Sequence, residues 1–187
     1  MQYEKGHYYH IYNRGNNRQD IFLEERNYEY LEQLFAKNTE RYELTIIAYC
    51  LMPNHYHLLL RQESDLQISQ FIRSTFQSYV QAINKAYNRS GRLFEKQGDG
   101  KEVDDKEYLL HVCRYIHLNP LEAGLVDELE NWQYSNYPEF IGIRNGTLFA
   151  RSLINEWFES GEDYRQFVMD YVEEKNRYQE IQKYLFE

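Results

Sequence analysis

Residues 44–61 read LTIIAYCLMPNHYHLLLR, two apolar runs separated by Met52-Pro53-Asn54. The first run is strongly β-prone and the second begins directly after a turn signal, so we predict a β-hairpin with arms over 44–51 and 55–61. Residues two apart on a strand share a face, so His55 and His57 project together while Tyr56 faces the other way. The second arm of the hairpin therefore carries a pair of imidazoles on one face.

Strand and helix patterns alternate on both sides of this hairpin. The sequence predicts a strand over 7–14, helices over 23–41 and 66–87, a strand or short hairpin over 92–103, and a helix over 105–118 that ends at Asn119-Pro120. The order β-α-β-β-α-β-α predicts an α+β fold with a ferredoxin-like antiparallel sheet and helices packed on one face.

The length of 187 residues suits one well-buried core and does not require two. We predict a main domain over 1–140 and, over 141–187, an acidic helical C-terminal extension that packs on the same core, with two or three short helices after residue 151. Acidic runs of this kind are most often solvated faces. The alternative is that the extension folds back near the functional site and repels the wrong nucleic acids.

The composition predicts a soluble protein without a membrane partner. No apolar run approaches the roughly 20 residues of a membrane helix, and the start, MQYEKGHYYHIYNRG, has no apolar signal region. Cys50 and Cys113 show neither CxxC spacing nor the density of a disulfide scaffold. A reducing cytoplasm fits these features best.

The formal net charge of −9 argues against a nucleic-acid partner, because Lys and Arg drive phosphate binding. The charge is unevenly distributed, however. Residues 1–100 hold 12 basic and 12 acidic side chains, whereas residues 101–187 hold 9 and 18, which gives the entire −9. Within 66–101, six basic side chains face only two acidic ones, a net of +4, so a polyanion could bind there. These six are Arg73, Lys85, Arg89, Arg92, Lys96 and Lys101.

The histidine pair suggests a metal site. Two neutral imidazoles on one strand face can bind a divalent cation, and a third ligand with open positions would leave room for a phosphate oxygen. Taken alone, a His-x-His pair is more often two strand histidines that satisfy backbone groups. A structural zinc site that adds Cys50 is a weaker alternative, since a fourth ligand at the usual spacing is lacking.

The helix over 105–118 supplies a second group of candidates. Tyr115 and Asn119 are four residues apart and share a helical face, with His111 one turn before Tyr115. A phenol has an ordinary pKa of about 10, so a nucleophilic tyrosine needs a nearby base or cation. With 19 tyrosines in the chain, one that simply packs against the sheet is the alternative for Tyr115.

Four motifs in a fixed order carry a resemblance to a known family. They are HIYNRGN (10–16), AYCLMPNHYHLLL (48–60), YLLHVCRYIHLNPLEAGLV (108–126) and WQYSNY (132–137). Over residues 7–140 the chain thus resembles the REP-associated tyrosine transposases, relatives of the IS200/IS605 transposases in the HUH class of single-strand nucleases. The resemblance implies the HUH fold, a partner of single-stranded DNA with hairpins, and a bacterial cytoplasmic location associated with the nucleoid.

The resemblance also implies roles for individual residues. His55 and His57 match the pair that holds Mg²⁺ or Mn²⁺, and Asn119 matches the polar residue that completes the metal site. Tyr115 matches the tyrosine that attacks a DNA phosphate and forms a 5′-phosphotyrosine intermediate. The loop after the first strand is similar to a DNA-contacting element, which here contains Asn13, Arg14, Asn16, Asn17 and Arg18.

Some alternatives stay open at this level. Relatives tend to carry a Gln-x-Arg-Phe-Lys-like run where this chain has GRLFEKQGDGK (91–101), so a protein of the same ancestry that binds DNA hairpins without cutting them is the second hypothesis. The sequence does not separate DNA from RNA. Relatives of the IS200 type act as dimers that exchange the tyrosine helix, and the repeat-associated branch, with its extra C-terminal segment, as monomers. This chain resembles the second branch more, and both a monomer and a homodimer are compatible with it.

Overall fold

The order of strands and helices follows the prediction. A computed structural model of the chain describes residues 3–66, 68–96, 98–146, 148 and 156–186. The strands are β1 (Tyr8–Arg14), β2 (Leu44–Met52), β3 (His55–Gln62) and β4 (Asp99–Val103). The helices are α1 (Glu25–Tyr42), α2 (Ile68–Ala86), α3 (Lys106–Glu122), the short α4 (Tyr137–Phe140) and α5 (Gly161–Phe186). Within these described ranges, no helix combines the length and apolarity needed to cross a membrane.

The four strands form one antiparallel sheet in the order β2-β3-β1-β4. The β2–β3 hairpin is the predicted one, and β1 pairs with the edge of β3 that faces away from β2. In this register Tyr12 lies opposite His57 and Arg14 lies opposite His55. The α+β class and the antiparallel sheet are therefore confirmed, and the histidine pair lies in the interior of the sheet, beside β1.

Helices cover both faces of the sheet. Tyr56 and Leu58 belong to one buried cluster with residues of α1 and α2, whereas Leu59 belongs to a second cluster with residues of α3 and α5. The prediction of helices on one face is wrong for α3. The reason lies in β2, which is apolar and buried on both faces, as is typical of a strand covered on two sides.

Helix α3 continues through Pro120 to Glu122, so the predicted end at Asn119-Pro120 is wrong. Pro120 has no N–H and leaves the carbonyl of Ile116 without its usual helical donor. The Asn119 side chain supplies a replacement, because its Nδ2 donates to the Ile116 carbonyl at 3.4 Å and to the Tyr115 carbonyl at 2.8 Å. The helix therefore tolerates the proline, and the Asn119 amide is held in one orientation.

Residues 132–136 lie along the outer edge of β2. The Leu51 N–H donates to the Tyr134 carbonyl at 2.9 Å, and the Tyr49 N–H donates to the buried Asn136 Oδ1 at 2.7 Å. Asn136 Nδ2 in turn donates to a carbonyl of the same strand. The WQYSNY segment therefore occupies hydrogen-bonding groups that an edge strand would otherwise present to solvent.

A buried network attaches α3 to its surroundings. His117 Nε2 lies 2.9 Å from Asn136 Oδ1, and His117 Nδ1 lies 2.6 Å from the Tyr164 hydroxyl of α5. Burial lowers the pKa of His117 to about 4, so the ring is neutral: Nε2–H donates to Asn136 and Nδ1 accepts from Tyr164.

Where the sequence predicts two or three short helices after residue 151, the described residues contain one long helix, α5. Residues 151–155 lie outside the described residues.

Candidate active site

Side chains from β3 and α3 converge on one side of the sheet. His55 Nε2 lies 3.3 Å from Asn119 Oδ1, across 64 residues of sequence. The Tyr115 ring stands edge-on to the His57 ring, with centroids 5.3 Å apart. The four residues that the sequence singles out for metal binding and nucleophilic attack are thus brought together by the crossing of α3 over β3.

Hydrogen bonds fix the orientation of both candidate imidazoles. His55 Nδ1 lies 2.7 Å from the Asn54 side-chain oxygen, and His57 Nδ1 lies 3.0 Å from His10 Nε2. Histidines that bind metals usually donate their second ring N–H to such an acceptor. With Nδ1 as the donor in each ring, the Nε2 lone pair of both His55 and His57 is available to a ligand.

The histidines of the site are neutral near neutral pH. Burial lowers the pKa of His57 well below its ordinary value, and the neighbouring His10 and His55 lower it further. Burial likewise lowers the pKa of His55, and lowers that of His10 to about 4. Neutral imidazole is the form that binds metal ions, so these rings need no deprotonation before they act as ligands.

Tyr115 is accessible and protonated. Its side chain is about half exposed at 48%. Partial burial raises the pKa of the phenol above its ordinary value, and the carboxylate of Glu122 adds to this, while Arg14 acts in the opposite direction. A phenol with a raised pKa is a poor nucleophile by itself, so its reaction requires a polarised electrophile.

The donor atoms fit a divalent cation with mixed nitrogen and oxygen preferences. The Asn119 amide donates to two backbone carbonyls, so its Oδ1 is the atom directed at His55. Over the described parts of the chain, no three His, Cys, Asp or Glu residues cluster in a way that could hold a metal ion. The candidate ligands are therefore two imidazoles and one amide oxygen, and the zinc site with Cys50 gains no support. Sets of this kind leave positions for water and substrate oxygens.

A groove of about 770 Å³ opens beside these residues. Five of the predicted DNA-contacting side chains line it, together with the histidine pair and Tyr115: Asn13, Arg14, Arg18, Lys96 and Lys101. Although the whole chain is acidic, four of these five carry a positive charge, against one carboxylate, Glu95, among the described residues that line the groove. The groove thus offers a local site for phosphate groups.

The remaining predicted contact residues lie elsewhere. Asn16 and Asn17 belong to the short helical turn after β1, and Arg89, on the segment after α2, donates to the Gln19 side chain at 2.9 Å. Arg73 and Lys85 are exposed on α2, which packs on the sheet face opposite α3. Arg92 is exposed on the segment before β4.

Close packing shapes the loop after β1. A Cβ atom at Gly15 would lie 2.0 Å from the Gln19 carbonyl oxygen, and Asn17 and Arg18 both adopt positive φ angles of 54° and 59°. The Asn16 N–H donates to the Leu93 carbonyl at 2.8 Å. The loop is therefore tied to the segment that precedes β4, and it delivers Arg18 to the groove.

Sequence reasoning missed several residues of the groove. His10 contacts His57 from β1, Asn54 orients His55, and Tyr12 and Tyr108 also line the groove. The alternation in HYYHIYNR puts His10, Tyr12 and Arg14 on one strand face, which was a usable signal. Their position beside His57 depends on the pairing of β1 with β3, which no local pattern reveals.

Three comparisons relate the chain to known proteins. A family model described as "Transposase IS200 like" matches residues 3–119. A curated protein of Haemophilus influenzae, named "Putative REP-associated tyrosine transposase", is 24% identical over 136 residues, which cover 63% of this chain and 76% of that protein. A solved structure described as a REP-associated tyrosine transposase bound to a REP hairpin superposes with a TM-score of 0.65 at 17% identity, covering 81% of this chain and 95% of the other.

Proposed function

Because the chain belongs to the IS200-like transposase family, we propose that it is a metal-dependent nuclease and strand transferase acting on single-stranded DNA at hairpin-forming repeats. The observation that carries the proposal is the position of the Tyr115 phenol beside His57, with His55 and Asn119 adjacent. The choice of hairpin DNA as substrate is supported by the superposed relative, which is described as bound to a REP hairpin.

Tyr115 acts as the nucleophile in this proposal. Its phenolic oxygen forms a bond to the phosphorus of the scissile linkage, and the bond from phosphorus to the 3′ oxygen breaks. The phenol loses its proton, and the departing 3′ oxygen gains one. The products are a 5′-phosphotyrosine and a free 3′-OH. The reverse reaction, with the same or another 3′-OH, rejoins strands without ATP, because the phosphotyrosine conserves the bond.

His55, His57 and Asn119 would hold Mg²⁺ or Mn²⁺. A bound cation of this type polarises a phosphate and offsets the negative charge that develops on it. The chain holds these ligands ready to bind: Asn54 and His10 fix the orientations of the His55 and His57 rings, and burial keeps both rings neutral. Tyr115 is left half exposed next to this position, where a DNA phosphate can approach it.

The groove would guide the strand to Tyr115. Arg14 and Arg18 come from the β1 end of the groove, and Lys96 and Lys101 come from β4 and the segment before it. Contacts from these side chains to phosphates would fix the register of the strand without reading its sequence. The excess of acidic side chains in residues 101–187 would disfavour binding to that part of the surface.

Covalent attachment tests the proposal. The intact chain is incubated with a single-stranded hairpin from a repeated palindrome and Mn²⁺, and protein–DNA adducts are resolved on a denaturing gel. We expect an adduct that disappears in Tyr115→Phe and under chelation. Tyr171→Phe is the matched control, since Tyr171 is an exposed tyrosine of α5 that does not line the groove, and it should retain the adduct. Hairpin binding without any adduct would indicate a protein that binds and does not cut.

A further inference from the structure

Three tyrosines line the groove, and their rings differ in what they contact. Tyr115 is edge-on to His57, and Tyr12 is tilted against His10 with centroids 5.2 Å apart. The Tyr108 ring contacts no other ring and no cation among the described residues, and the residue is 46% exposed. Tyr108 therefore presents an uncovered aromatic surface inside the groove.

Tyr108 is well placed relative to the nucleophile. It precedes Tyr115 by seven residues on α3, so the two share a helical face and lie about 10 Å apart along the axis. Its backbone N–H is used at the start of the helix, where it donates to the Asp105 side chain at 2.8 Å. The adjacent Leu109 and the nearby Val112 are buried, so the helix is firmly packed beneath the exposed ring.

Positive charge accompanies the ring. Lys101 also lines the groove and pairs with His10 in the register of β4 with β1, and Lys96 lies on the segment before β4. A flat aromatic surface next to cationic side chains is the arrangement by which proteins hold unpaired nucleotides, with a base on the ring and phosphates on the cations. A base inside a duplex has both faces covered by its neighbours and cannot use such a surface.

We propose that Tyr108 is a stacking site for an unpaired nucleobase adjacent to the phosphate that Tyr115 attacks. This inference rests on the proposed function and adds a subsite to it. Stacking on Tyr108 would place the neighbouring phosphate along the face of α3, toward Tyr115. It would also favour a single-stranded segment over a duplex in this part of the groove.

The experiment measures binding without chemistry. Two fluorescent strands of equal length, an oligothymidylate and a fully abasic deoxyribose-phosphate strand, are titrated with the intact chain in a chelating buffer. We expect the wild type to prefer the oligothymidylate. Tyr108→Ala should weaken oligothymidylate binding on the order of tenfold and leave the abasic strand nearly unchanged, while Tyr108→Phe and Tyr108→Trp retain the wild-type preference.

A second tyrosine serves as the matched control. Tyr171 is 38% exposed and lies on α5 outside the groove, so Tyr171→Ala should bind both strands as the wild type does. The salt dependence of binding should stay the same in Tyr108→Ala, because no phosphate contact is removed. Equal losses on both strands, a loss in Tyr108→Phe as large as in Tyr108→Ala, or no preference for bases in the wild type would overturn the inference.

The outcome is separable from that of the covalent assay. Binding in chelator requires neither the covalent reaction of Tyr115 nor a bound cation, so a stacking site can exist in a protein that forms no adduct. Conversely, suppose that the adduct depends on Tyr115 but Tyr108→Ala does not change binding. This combination would support the proposed function and reject the stacking site. An adduct that forms on Tyr108 in Tyr115→Phe protein would give Tyr108 a chemical role and also overturn the inference.

Discussion

Replacing Pro120 with alanine should make the protein more stable and less active. An alanine at this position restores the N–H that can donate to the Ile116 carbonyl, as in a regular helix. That carbonyl now accepts from the Asn119 side chain at 3.4 Å. The restored backbone bond competes with the side chain for this carbonyl, and the stronger of the two anchors of Asn119, to the Tyr115 carbonyl, remains.

The two effects have different sizes. Proline inside a helix is about 3 kcal/mol less favourable than alanine, whereas loss of the Asn119 contact costs about 1 kcal/mol and loss of two methylenes of the buried Pro120 ring about 1.6 kcal/mol, which leaves a net gain of about 0.4 kcal/mol. For a chain of this length this corresponds to a rise in Tm of roughly 1–2 °C. Loosening one of two anchors on Asn119 should weaken Mn²⁺ binding and adduct formation by about 2–10-fold, the equivalent of one ordinary hydrogen bond.

Three measurements check this reasoning: Tm by calorimetry, Mn²⁺ affinity by titration, and the rate of adduct formation. Pro138→Ala is the matched control, because Pro138 lies in the first turn of α4, where a proline removes no helical bond. It should leave Mn²⁺ affinity and rate unchanged. A Tm increase in Pro120→Ala with unaltered Mn²⁺ affinity and adduct rate would refute the role of the proline in positioning Asn119. A Tm below that of the wild type would refute the expected gain in helix stability.

Three further predictions concern other parts of the fold. His10→Ala removes the acceptor of His57 Nδ1, so Mn²⁺ affinity should fall about tenfold in a titration; an unchanged affinity would contradict the orienting role. Gly15→Ala should lower the urea midpoint, because its Cβ would overlap a carbonyl oxygen at 2.0 Å. Glu32 accepts a hydrogen bond from the Tyr49 hydroxyl, and burial raises the pKa of its carboxyl. Because the folded state then binds this proton more tightly than the unfolded state, the free energy of unfolding falls as pH rises through the raised pKa. Glu32→Gln should therefore have a higher free energy of unfolding than wild type at about pH 7 and the same value near pH 3.5, where the Glu32 carboxyl is protonated in both states.

Local patterns were sufficient for the order of strands and helices, whereas the four site residues were singled out by motifs that resemble a known family. The hairpin around Pro53-Asn54 and the helical spacing in α1 and α2 are properties of short segments, so the sequence reveals them directly. His10 and Tyr108 were missed because their placement depends on strand register and on the crossing of α3, which are set by packing between distant segments. The helix through Pro120 was missed because its compensation comes from a side chain, Asn119, which a propensity rule does not consider.

The segment that follows α3 and covers the edge of β2 prevents this strand from pairing with other copies of the chain. Residues 132–136 cover β2, a strand of nine mostly apolar residues, eight of which are buried. Removal of the chain from Trp132 onward would uncover unsatisfied backbone donors and acceptors next to an apolar surface, which is a template for intermolecular pairing. Truncated forms that begin normally but stop before Trp132 should therefore precipitate, even though such proteins would keep every candidate catalytic residue.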